Sequence, residues 1–153
     1  MNADRFRALC GRFTTGVTIV TTLDAGGHPF GMTANSFASV SLDPPLISVA
    51  VDHAATLYPA MRAGSRFAVN ILDAQQESLS RRFAESLDHR FDGVPWHRTD
   101  DQVILDGTLA YLCCDKWAEV VAGDHTIFIG RVTGGDAAAN GTPLVHYRGA
   151  YAR

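Results

Sequence analysis

The chain contains a single lysine. Lys116 stands beside twelve arginines, which are scattered and form no basic stripe, so nucleic acid is not an expected partner. Charge of either sign is modest, with a net of −3 and no acidic or basic tail. Cysteine is scarce too. Cys10, Cys113 and Cys114 are odd in number and include no Cys-x-x-Cys, which speaks against a disulfide framework. They read as free thiols in a reducing cytoplasm, and as small buried apolar filler. No apolar run approaches the ~20 residues of a membrane span. The first twenty residues carry Asp4, Arg5, Arg7 and Arg12 and do not read as a signal peptide. Gly-x-Gly-x-x-Gly, the Walker A sequence, Gly-x-Ser-x-Gly and His-Glu-x-x-His are all missing. Rossmann, P-loop, serine-hydrolase and zincin chemistry therefore have no support. The six histidines are dispersed, and no metal site is expected. What is left is a 153-residue chain, 46% apolar, that reads as one domain over residues 1–153.

Residues 3–13 place Phe6, Leu9, Cys10 and Phe13 at helical spacing behind an Asn2 cap, an amphipathic helix that must lie on something. Val17–Thr22 is β-branched and reads as a strand. The turn chemistry of Asp24–Pro29 returns the chain antiparallel into a strip at Thr33–Ser41. Pro44-Pro45 interrupts ladder bonding, and Leu46–Val51 is the next strand. Thr56 caps a short helix through Arg62, ended by Gly64; Phe67–Leu72 is a strand. Asp73 caps a helix carrying Leu79, Phe83 and Leu87, with Arg81 and Arg82 mostly outside. Residues 88–102 read as irregular. Thr108–Val121 is a long strand, Thr126–Thr133 another, Gly134–Gly141 a loop and Pro143–Tyr151 a short final strand. Six or seven strands in hairpin-like succession favour a mainly β fold, an antiparallel β-barrel with peripheral helices.

The strip Gly31–Ser41 is the chemical centre. Thr33, Ser36, Ser39 and Ser41 supply hydroxyls and Asn35 a carboxamide, interleaved with Met32, Ala34, Phe37, Ala38 and Val40, with no charge. Such a surface suits a neutral, planar ligand with many polar edges; a solvated edge strand is the plainer reading. His125, at the mouth of a strand in Gly123-Asp124-His125-Thr126, is placed to donate to a ligand, or is simply an exposed turn residue, with Asp124 orienting the ring or completing the turn. Arg148 between two aromatics, and Arg90-Phe91, can clamp a phosphate or stack on a ring, or be solvated. Asn70 inside an apolar strand must find partners, most simply neighbouring backbone.

Taken in order, Gly31–Phe37, Ser39–Pro45, Phe67–Leu72, Arg90-Phe91, Gly123–Thr126 and the ending Pro143-Leu144-Val145…Tyr147-Arg148-Gly149…Tyr151 resemble the flavin reductase family of the FMN-binding split barrel. These are reductase components of two-component flavin-dependent monooxygenases. The resemblance implies a Greek-key antiparallel barrel, a homodimer, and an NAD(P)H:flavin oxidoreductase that reduces FMN or FAD with NADH or NADPH. It implies that reduced flavin reaches a separate monooxygenase by diffusion. By position, Thr33, Ala34, Asn35 and Ser36 would meet the isoalloxazine, and Ser39, Val40 and Ser41 the ribityl chain or phosphate. Ala55 and Thr56 would lie near the phosphate or adenine, with Arg148 on the cofactor as well. Arg90, Phe91 and His125 would face the nicotinamide, with His125 in the catalytic role. A rival reading is a non-catalytic flavin-binding or electron-carrier module of the same fold. An oxidase of a pyridoxal-type phosphate would need a denser basic phosphate site.

Overall fold

A computed structural model describes residues 1–86 and 88–152. The expected helical position Leu87 lies outside the described residues. The chain opens with helix α1 (Ala3–Cys10), then strands β1 (Thr15–Gly16), β2 (Thr18–Leu23), β3 (Pro29–Ala34), β4 (Ala38–Leu42) and β5 (Pro45–Asp52). Helix α2 (Leu57–Ala63), β6 (Arg66–Ile71), a 3-10 turn (Ala74–Gln76) and α3 (Glu77–Ala84) follow. Strands β7 (Trp96–Thr99), β8 (Gln102–Leu105), β9 (Ala110–Ala122), β10 (His125–Ala137), β11 (Val145–Tyr147) and β12 (Ala150–Ala152) complete it.

Seven strands form one antiparallel sheet in the order β3-β2-β6-β9-β10-β5-β4. Its interior is filled by Val20, Val49, Val51, Phe67, Val69 and Phe128, and α2 contributes Leu57 and Met61. The two end strands, β3 and β4, are consecutive in the chain, yet they do not pair. The barrel is therefore open along one seam, and residues 35–37 cross it. Each end strand keeps an edge of main-chain donors and acceptors unpaired.

A second apolar layer covers the outside of β2 and β6, where Ile19, Leu72, Phe83 and Leu105 pack with Phe91 and Trp96. Strand β9 is buried on both sides where Cys114 faces the barrel core and Cys113 packs with Ala68 and Ile104. Asn70 sits inside the second layer: its amide donates to the Ile19 carbonyl (3.0 Å) and its oxygen accepts from Leu105 N–H (2.9 Å).

Several expectations need correction. Helix α1 stops at Cys10, and Cys10 is exposed. Among the described residues its apolar face is left uncovered: Phe6 is 58% exposed and Leu9 54%. Pro45 opens β5 directly opposite Leu42, since the first residue of a strand tolerates proline. Residues 88–102 are not all irregular: β7 and β8 form a hairpin around Asp100 and Asp101, both at positive φ (49° and 57°). The Gly134–Gly141 loop is shorter than expected because β10 runs on to Ala137 beside β9. The final strand is a hairpin turning at Arg148-Gly149. Thr56 precedes α2 with helical backbone and makes no side-chain cap bond.

Candidate functional site

The seam brings the strip together. Thr33, next to last in β3, donates its hydroxyl to the Ser80 carbonyl of α3 (2.6 Å), so its proton is already committed. Ala34 is buried, and its carbonyl accepts from Thr18 Oγ1 at 2.8 Å. Asn35 and Ser36 are exposed in the crossing. The Ser36 hydroxyl is engaged twice on Ala50 of β5. Ser39 and Ser41 lie along β4, where a bulge at Val40 breaks the register: Ser39 is opposite Ile47 and Ser41 opposite Leu46. Bulges at sheet edges re-aim side chains, and Val40 is half exposed as a result.

Thr33, Ala34 and Asn35 line a cavity of about 200 Å³ with Val17, His146 and Tyr151. Tyr151 is anchored to α3 by a 2.7 Å bond to Ser80 Oγ and by the Arg81 guanidinium 4.7 Å over its ring. A cavity of that size is smaller than the ~300–1,000 Å³ usual for a ligand pocket. A larger space of about 810 Å³ lies between α2 and the β2–β3 hairpin; of the candidate residues, only Thr56 borders it.

His125 opens β10, opposite Asp52 of β5 and two residues along from the Ala50 that holds Ser36. The nicotinamide-facing candidate and the strip therefore meet at one end of the barrel. Asp124 Oδ1 lies 2.7 Å from His125 Nδ1. That bond, followed by the charge attraction of the same ring, holds the Asp124 carboxyl below the ordinary carboxylate range. Ala55 packs against the barrel core in the loop leading to α2.

Arg90 and Phe91 stand on the other side of β3. Arg90 Nη1 donates to the Gly31 carbonyl (2.7 Å), and its Nε is buried without a partner among the described residues. Desolvation lowers the guanidinium pKa. Phe91 is half-buried, edge-on to Phe83 (centroids 4.9 Å) and Trp96 (6.2 Å). Gly31 makes room for this group, since a Cβ there would come within 2.8 Å of Phe83. Arg148 is set apart: it lines a small cavity with Arg7, Gly11 and Arg12, and its N–H donates to the Gly11 carbonyl (2.9 Å).

Two features were not read from the sequence. Arg82, expected outside, clamps the loop that carries Arg90 through the carbonyls of His89 (2.8 Å), Arg90 (2.6 Å) and Asp92 (2.6 Å). His53, Tyr58 and Thr126 form a polar cluster beside His125. Tyr58 carried no signal, being one aromatic among helix formers.

The sequence profile of a family described as flavin reductase like domain matches residues 10–153. The chain is 43% identical over 153 residues to the FMN reductase (NADH) SmoA of Agrobacterium fabrum, covering 99% of this chain and 86% of that one. It is 44% identical over 142 residues to the reductase component of the flavin-dependent trigonelline monooxygenase of Acinetobacter baylyi. That match covers 92% of this chain and 46% of the relative, so the chain spans less than half of that protein. Among solved structures, the NADH:FAD oxidoreductase SgcE6 of Streptomyces globisporus, in complex with NAD and FAD fragments, superposes with a TM-score of 0.94. It is 36% identical, with 99% of this chain and 92% of that chain covered.

Proposed function

Because the chain belongs to the flavin reductase like domain family, we propose that it is an NAD(P)H-dependent flavin reductase, the reductase component of a two-component flavin-dependent monooxygenase. The observation that carries this is the near full-length likeness to an NADH-using FMN reductase. The flavin supplies the redox chemistry, accepting a hydride from the nicotinamide. The chain supplies binding and orientation, which in favourable systems accounts for roughly 7–11 kcal/mol of barrier.

The seam fits such a ligand. Its unpaired strand edges, the exposed Asn35 and Ser39 and the half-buried Ser41 offer neutral donors and acceptors to a planar heterocycle. Thr33 and Ser36 have their protons engaged on protein carbonyls, so they serve as acceptors or through their main chain. His125, held by Asp124, faces the nicotinamide, and Arg90, anchored on the Gly31 carbonyl, is the second residue on that side. Phe91 packs behind Arg90. Ala55 and Thr56 border the phosphate or adenine, and they do so without a helix-terminal anion seat, because α2 has only seven residues and Thr56 makes no cap bond. Arg148, set apart from the strip on the final hairpin, is the remaining cofactor-side candidate.

The protein works as a homodimer in the cytoplasm and hands reduced flavin to its oxygenase by diffusion. The dimer is supported by the small cavity at the strip, which a second chain would enlarge into a groove. It is supported also by exposed Phe13, Leu42 (97%) and Val121. FMN and FAD both remain open as the preferred flavin, since the relatives divide between them.

The test is NADH and NADPH oxidation, followed by loss of nicotinamide absorbance, with FMN, FAD or no added flavin. Turnover that depends on added flavin establishes the reductase and ranks the flavins. Tight flavin binding with no nicotinamide oxidation would favour a non-catalytic flavin module.

A further inference from the structure

Thr126 is the residue after His125, fully buried on β10 between Val51 of β5 and Val121 of β9. A buried hydroxyl needs partners. Its Oγ1 lies 3.0 Å from His53 Nε2 and 3.2 Å from Tyr58 Oη. Both partners belong to the segment that carries Ala55 and Thr56. Their rings are 4.8 Å apart, and Arg62 Nη1 donates to Tyr58 Oη at 3.3 Å. The same loop also reaches the residue before His125. The His53 N–H donates to the Asp124 carbonyl (3.0 Å), and Asp124 Oδ1 holds the His125 ring at 2.7 Å. Both sequence neighbours of His125 are thus tied to His53, one through main chain and one through side chains.

We infer that Thr126 and His53 are positioning residues that clamp His125, so that the loop at residues 52–56 sets the direction in which the imidazole is presented to the nicotinamide. The inference rests on the reading of His125 given above. One order of donors uses each proton once: Arg62 to Tyr58, Tyr58 to Thr126, Thr126 to the His53 Nε2 lone pair. A residue wanted only for filling here would be apolar, as Val49, Val51 and Phe128 around it are. The clamp also links the loop proposed near the cofactor phosphate to the turn proposed at the nicotinamide. Rearrangement of one loop therefore reaches the other site through the Thr126 hydroxyl and through the His53 N–H bond to the Asp124 carbonyl.

The experiment is steady-state kinetics on Thr126→Val, Thr126→Ser, His53→Phe and His125→Ala, with flavin and NADH varied separately. Thr126→Val keeps the shape and removes the hydroxyl; His53→Phe keeps the stack on Tyr58. Each is expected to reproduce part of the His125→Ala defect, raising the KM for NADH about three- to tenfold and leaving the KM for flavin within about twofold. Thr126→Ser should restore the wild-type value. The double variant Thr126→Val/His53→Phe should be no worse than Thr126→Val alone, because that change already breaks the contact with His53. An unchanged KM for NADH, or equal rises in both KM values, overturns the clamp. If His125→Ala itself leaves NADH kinetics untouched, the underlying reading of His125 fails and the clamp with it. If His125→Ala is defective while Thr126→Val and His53→Phe are not, the clamp alone fails.

Discussion

The Ser36 hydroxyl donates to the Ala50 carbonyl at 3.1 Å and accepts from the Ala50 N–H at 3.0 Å. Ala38 is the first residue of β4 and is paired to Ser48 of β5, so two residues earlier Ser36 would fall opposite Ala50. The side chain therefore completes a ladder step that the main chain has left. It fixes the crossing while keeping the backbone of residues 35–37 away from β5. Ser36→Ala should lower stability by about 1 kcal/mol, since the site is exposed and water replaces the bonds in part. Thermal unfolding should show a fall in Tm of roughly 2–4 °C, and flavin titration a weaker Kd.

Arg82 holds three carbonyls of the loop that carries Arg90 and Phe91. Arg82→Ala should release residues 88–94, read as faster amide exchange confined to that loop. The KM for NADH should rise as Arg90 loses its anchor. Arg82→Lys should not rescue, because an ammonium is a point donor and cannot span three carbonyls as a planar fork does.

The barrel and the strip were legible in the sequence because they rest on local signals: β-branched runs for β2 and β6, turn residues at Asp24–Pro29, hydroxyls alternating with apolar groups in β4. The β7–β8 hairpin was not, because its turn is Asp100-Asp101 with no glycine, and a left-handed aspartate leaves little trace. The roles of Arg82, Tyr58 and Thr126 depend on partners 68 residues or more away for the last two, and on a loop's main chain for the first. Neither kind of partnership has a pattern along the chain. The seam itself is a failure of β3 and β4 to pair, and only the assembled sheet order exposes it.

Gly31 is a packing glycine. Its Cβ would sit 2.8 Å from Phe83 Cε1 and 3.2 Å from Phe91 Cζ, both held in a T-shaped contact. Gly31→Ala should cost about 1–3 kcal/mol through overpacking. Gly16→Ala is the control: nothing lies within 4 Å of its Cβ, and the change should stay within about 0.5 kcal/mol. Denaturant midpoints of the two variants make the comparison.

Asp124 carries a testable pH signature. The hydrogen bond from the His125 ring holds the folded Asp124 carboxyl below the ordinary carboxylate range. A lowered folded value means stability present above the unfolded pKa and lost as pH falls through the folded one. The stability gap between wild type and Asp124→Asn should therefore close as pH falls below 3.8. Chemical denaturation on either side of that value reads it. A gap that persists well below that value would show that the carboxylate is not the stabilised form.

Thiol chemistry separates the three cysteines and reports on α1. Burial pushes the Cys114 thiol up to about 12 and raises Cys113 as well, so neither offers thiolate near neutral pH, and neither is reachable by a reagent in the folded protein. Cys10 is exposed on α1, on the helix that also exposes Phe6 and Leu9. Mass spectrometry after brief alkylation should find one modified cysteine in the native protein and three after denaturation. If α1 belongs to the dimer contact, the Cys10 rate should fall as protein concentration rises through the association range, because dimerisation removes the thiol from solvent. A rate independent of concentration would exclude α1 from the proposed dimer contact.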